Sequence, residues 1–149
     1  EYLIGGSRNA AARHWVWEQV VPYVEERWPS AQRWVAGGSN GASMAAQLAL
    51  GRPDLFTGAA LYSPWHGAGL DEVLGLAERW PGGGRFYVSH GNFGRGEQGT
   101  LEGSRQLIQR LAGTGATTHF LEREGHGHNL HAWGLSWPDA LRWLLSERK

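Results

Sequence analysis

The chain has 149 residues, 41% hydrophobic and 19% charged, with 14 basic and 14 acidic side chains and a formal net charge of +0. That is the composition of one globular domain, residues 1–149, and it carries no electrostatic draw toward nucleic acid or an anionic membrane. The 0 cysteines exclude a disulfide, a thiolate metal site and a cysteine nucleophile. No apolar run approaches the about 20 residues of a membrane-spanning helix, so neither nucleic acid nor membrane is expected as a partner. No signal peptide is visible, which inclines localisation toward the cytoplasm. The sequence opens on Glu1 rather than Met, so the compartment stays open.

In chain order, residues 10–28 read as an amphipathic helix, with Trp15, Val16, Val20, Tyr23 and Val24 near helical spacing and a bend or a restart expected at Pro22. Residues 33–36 are a short buried strand, 37–41 a tight turn, and 42–50 an Ala-rich helix. Residues 58–62 read as a second strand, 70–79 as a helix stopped by Pro81 and three glycines, and 85–89 as a third strand. A polar, glycine-rich loop follows over 90–99, then a helix over 101–111, a strand over 117–121, a His-rich loop, and a last helix from about Pro138 to Arg148. Strand and helix alternate, which predicts an α/β fold with a mostly parallel sheet between helix layers. Four strands make a thin sheet for this class. Tyr2-Leu3-Ile4 is the one candidate for a strand before the first helix, so the sheet is expected to lack N-terminal strands.

The turn Gly37-Gly38-Ser39-Asn40-Gly41 fits Gly-x-Ser-x-Gly between a strand and a helix. This spacing serves a serine nucleophile, because the serine must stand on a sharp, strained turn with small neighbours. The helix that follows directs its N-terminus at the site, and the Asn40 N–H is the candidate oxyanion donor. A bare five-residue match is also what an ordinary glycine-rich turn looks like; the strand before it and the helix after it separate the two readings.

From Ser39 to Pro64 the sequence resembles the esterase D and enterochelin-esterase-like branch of the α/β-hydrolases. The resemblance rests on the nucleophile helix, on the turn Pro53-Asp54-Leu55-Phe56, and on a strand ending at Ser63. Upstream, Val20-Val21-Pro22-Tyr23-Val24 resembles the helix before the nucleophile strand. Downstream, Gly127-His128 with Trp133 resembles a Gly-His segment followed by Trp. The resemblance implies an α/β-hydrolase-type three-layer sandwich and a serine carboxylic-ester hydrolase acting through an acyl-enzyme on a small-molecule ester, with no cofactor.

Seven histidines compete for the base, and the chain order of such hydrolases leaves His126, His128 and His131. The family spacing to Trp133 favours His128. The same loop could be read as a zinc site, but it has no glutamate in a zincin pattern and its glycines deny the helix that would align ligands; no metal is expected. The acid should follow the third strand, where Glu97 and Glu102 are available; Glu97 is the choice, and Glu102 fits the first turn of the next helix. A Ser-His pair without an acid stays open. Trp65 and Trp133 are substrate-binding candidates by resemblance, with His66 behind them. A second oxyanion donor is expected from a segment preceding this sequence, so the chain is expected to be either a fragment or a short form that folds with a reduced sheet or dimerises as a homo-oligomer, and to be weak or inactive alone. The rival reading is a catalytically impaired α/β-hydrolase-like binding or scaffold domain.

Overall fold

The computed structural model describes Gly6 and residues 8–146. Four strands, β1 (Trp34–Gly38), β2 (Gly58–Tyr62), β3 (Arg85–Gly91) and β4 (Thr117–Arg123), lie in the order β1-β2-β3-β4 with every neighbouring pair parallel. Parallel strands need crossovers, and helices supply them. The crossovers are α3 (Asn40–Gly51), α4 (Leu70–Glu78) and α6 (Leu101–Gly113). β2 is buried along its whole length, as a strand covered on both faces must be, and reads as a continuous apolar run.

Side-chain alternation along the strands divides the core. Ala59, Leu61, Phe86 and Val88 face a large cluster with α3, α4 and α6, to which Ala45, Ala49, Val73, Ala77, Leu107 and Leu111 contribute. Ala60, Tyr62 and Tyr87 face the opposite side, where Ala140 and Leu144 of α7 (Leu130–Leu145) cover them. The alanines of α3 let that helix approach the sheet closely. Among the described residues, no helix is long and apolar enough to cross a membrane.

The structure sharpens the sequence expectations at one helical end of the chain and departs from them at the other. Residues 9–27 form one helical run in which the α-helix restarts at Val21, with Pro22 in its first turn. It passes from α1 (Asn9–Trp15) through a π-helical turn at Val16–Val20 into α2 (Val21–Arg27). The N–H of Val21 bonds to the carbonyl of Val16, five residues back, so the wide turn is completed just before Pro22, which cannot donate. The last helix starts at Leu130, not near Pro138. The Asn129 side chain caps it by accepting from the N–H of Ala132 at 3.0 Å. Pro138 lies inside it. The helix persists there because Ala132, Ser136, Ala140 and Leu144 form a buried stripe at four-residue spacing, and that packing outweighs the lost bond. Tyr2-Leu3-Ile4 lies outside the described residues.

Candidate active site

The carboxyl ends of the four strands converge on one edge of the molecule, where open α/β sheets bind their ligands. β1 runs straight through Gly37 and Gly38 to Ser39, and α3 begins at Asn40, so the expected turn over 37–41 contracts to one residue. Ser39 has φ 55 and ψ −123, a conformation that costs a residue with a Cβ about 1–3 kcal/mol. The surroundings enforce it. Its N–H donates to the carbonyl of Tyr62 at 2.9 Å, extending the ladder, while its carbonyl accepts from Ala42, Ser43 and Trp65 at 3.0–3.2 Å. Gly37 is obligatory: a Cβ there would sit 2.3 Å from the Gly41 carbonyl oxygen. Serine at this position ordinarily caps the helix with its side-chain oxygen. The Ser39 hydroxyl does not; its Oγ lies 2.7 Å from Nε2 of His128.

His128 sits in the loop between β4 and α7. The edge of its ring meets Trp133, at 5.1 Å between centroids and 89°, and Trp65, at 6.2 Å and 77°. Its Nδ1 is 3.3 Å from Oε1 of Glu97. That separation is longer than a tight charge-assisted bond, which is common in catalytic sites without substrate. With the proton on Nδ1, facing the carboxylate, Nε2 is left to accept from the serine hydroxyl.

Glu97 comes from α5 (Arg95–Gln98), a single turn within the expected loop, and is completely buried. Ser63 Oγ donates to its Oε1 at 2.8 Å, and Nδ1 of His90 lies 2.7 Å from its Oε2. Burial pushes the Glu97 pKa up. The hydrogen bonds from His90 and Ser63, with the charges of His90 and His128, pull it down further, and the balance lies below the ordinary carboxylate value. Glu102 takes the other expected place, the first turn of α6, where its Oε1 accepts from Gln106 at 3.3 Å.

Two members of this cluster had no assigned role from the sequence. Ser63 directly follows β2 with φ 44, the second strained serine at a strand terminus, and it receives the indole N–H of Trp133 at 3.1 Å. Trp133 thus supports Ser63 and His128 from below, and its ring occupies the space a Cβ on Gly38 would need. His90 is the penultimate residue of β3; sequence reading began the loop there, but the strand continues through Gly91. The signal that could have found it is a histidine ending an apolar strand run, a buried place that calls for a polar partner.

Trp65 is 43% exposed beside His128 and borders a cavity of about 160 Å³ lined with Pro64, His66, Leu70, Gly99 and Thr100. That is of the order of the space needed by one aromatic ring. His66 is buried, and burial, then the nearby charge of His90, pulls its pKa down to about 4, so it is neutral at working pH. His131 is exposed on α7, and His126 accepts the Phe93 N–H through its backbone carbonyl. Among the described residues, no three His, Cys, Asp or Glu side chains are grouped to hold a metal ion.

No family model matches the chain, and no curated protein sequence matches it. Solved structures do. The chain is similar to a ferulic acid esterase (14% identity, TM-score 0.65, 88% of this chain and 59% of that one). It is similar to an S-formylglutathione hydrolase from Agrobacterium tumefaciens (16%, 0.65, 88% and 55%). It is also similar to a siderophore hydrolase from Aspergillus nidulans (18%, 0.62, 91% and 58%). These likenesses show a fold of the α/β-hydrolase type, and the chain spans somewhat over half the length of each of the three.

Proposed function

We propose that the chain carries a serine carboxylic-ester hydrolase site, with Ser39 as nucleophile, His128 as general base and Glu97 as the acid that orients it. The observation that carries this reading is the 2.7 Å contact between Ser39 Oγ and His128 Nε2. It joins residues 89 positions apart, at a strained serine whose hydroxyl has given up its capping role. Nucleophile, base and orienting group stand in the order such a site requires. The similar structures named as esterases and hydrolases support the reaction class.

In the first step Ser39 Oγ attacks the ester carbonyl carbon while His128 Nε2 takes the hydroxyl proton. The resulting imidazolium is stabilised by the Glu97 carboxylate through Nδ1. The carbonyl oxygen becomes an oxyanion, and the proposed donor to it is the N–H of Asn40, the first residue of α3; first-turn N–H groups have no acceptor within their own helix. His128 then returns the proton to the leaving alkoxide as the C–O bond breaks. A water molecule, deprotonated by His128, attacks the acyl-Ser39 ester and releases the acid. Trp65 and the cavity beside it are the proposed seat for one side of the ester, of about ring size; Trp133 supports Ser63 and His128 from beneath.

A two-step path leaves a kinetic trace. With p-nitrophenyl acetate, p-nitrophenolate should appear in a burst stoichiometric with enzyme, followed by a slower steady state, and an acetyl group should map to the peptide containing Ser39. Turnover without any acyl group on that peptide would overturn the proposed mechanism.

A further inference from the structure

The proposed triad does not account for His90. It is fully buried, yet its ring makes three polar contacts. Nδ1 lies 2.7 Å from Oε2 of Glu97 and also 2.7 Å from the carbonyl of Gly91, and Nε2 lies 3.1 Å from Oγ1 of Thr100. Two neighbouring acceptors at Nδ1 require the proton to be on that nitrogen; it is directed at the Gly91 carbonyl, and the same polar edge of the ring lies against the carboxylate. Thr100 Oγ1 is tied in turn to the Gly96 carbonyl at 3.1 Å, one residue before Glu97. The ring therefore bridges the side chain of Glu97 and the backbone of the turn that carries it. Oε1 already serves Ser63 and faces His128. His90 sets its proton-bearing nitrogen 2.7 Å from Oε2, and without it that buried carboxylate oxygen would face apolar surroundings, a costly state that favours protonation.

We propose that His90 is a second imidazole partner of Glu97, a positioning residue that holds one carboxylate oxygen so that the other stays turned toward His128 as a charged acceptor. This rests on the proposed catalytic roles of Ser39, His128 and Glu97. The groups facing the pair are few. Ser63 reaches Glu97 from the end of β2 and His128 from the loop after β4. His66 lies near His90 and is neutral. Glu122 stands opposite His90 in the register of β3 and β4, but it is exposed and paired with Arg105 at 2.7 Å. His90 is thus the polar neighbour of Oε2, and its removal leaves burial to push the carboxyl pKa up.

The test compares His90→Leu with His90→Asn, whose amide can reoccupy the Nδ1 position as an uncharged donor. In His90→Leu the ¹³C titration midpoint of the Glu97 carboxyl should rise by about one pH unit or more. His90→Asn should return the midpoint toward wild type. If both variants lose thermal stability while the midpoint stays at its wild-type position, His90 is a packing residue and the inference is overturned. If the carboxyl midpoint moves as expected but neither wild type nor variant hydrolyses esters, the inference stands and the proposed function falls.

Discussion

Replacing Ser39 by Ala is expected to lower kcat toward a short-chain aryl ester by on the order of 10⁶, the scale on which a triad nucleophile is lost. The expectation follows from one hydrogen bond. Ser39 Oγ lies 2.7 Å from His128 Nε2, and no other serine is seen against that nitrogen among the described residues. The same substitution should leave the melting temperature nearly unchanged. The strained backbone at φ 55 is held by main-chain bonds to Tyr62, Ala42, Ser43 and Trp65, all of which alanine keeps. The hydroxyl makes no capping bond whose loss would weaken α3. A pair of measurements, ester turnover and thermal unfolding, separates this outcome from a general collapse of the fold.

The second large effect belongs to Glu97. Glu97→Gln is expected to lower kcat by about 10⁴, the scale reported when the orienting acid of a triad becomes an amide and the histidine takes the wrong tautomer. The reason lies in the donors around the carboxylate. Ser63 and His128 approach Oε1, and His90 approaches Oε2. A Gln amide has one oxygen, so its NH₂ must face one of these donors. Facing His128, it drives the proton to Nε2 and blocks acceptance from Ser39. Facing His90, it leaves a buried N–H without an acceptor, at a cost of about 1–3 kcal/mol. The stability deficit should depend on pH. The folded-state pKa of Glu97 lies below its ordinary value, so its ionisation stabilises the fold above the unfolded pKa, and that contribution is lost as pH falls through the folded pKa. Denaturant unfolding of wild type and Glu97→Gln should therefore differ most near neutral pH and converge in acid.

Much of this arrangement could be read from the residues. The alternation of buried runs and helical segments announces the parallel sheet, because β2 and β3 are short and apolar enough to be covered on both faces. The Ser39 turn was legible because few sequences place glycines around a serine between a strand and a helix, and the geometry has no tolerance there: Gly37 must lack a Cβ. His128 was favoured within its loop only through its spacing to Trp133, and Glu97 was chosen over Glu102 with a Ser-His pair still open, since which imidazole and which carboxylate turn inward depends on how those loops close over the strand ends. Gly91 shows the difficulty, for its Cα packs against the His126 backbone, a contact between segments 35 residues apart. Pro138 misled the reading of α7 because local propensity marks a helix start, whereas the buried stripe from Ala132 to Leu144 is visible only against the sheet. The roles of His90 and Ser63 were hidden for the same reason. Each lies at the end of a strand, and each acquires its partner from a turn far along the chain.

The central claim is that Ser39 is a nucleophile activated by His128, and reaction with a fluorophosphonate tests it most directly. In that reaction Ser39 Oγ bonds to phosphorus and fluoride leaves, so no knowledge of the natural ester is needed. The account predicts one phosphonyl group per chain, mapped to Ser39, absent in Ser39→Ala and formed far more slowly in His128→Ala. A chain that stays unlabelled while remaining folded would contradict the account and leave an α/β-hydrolase-like binding domain in its place.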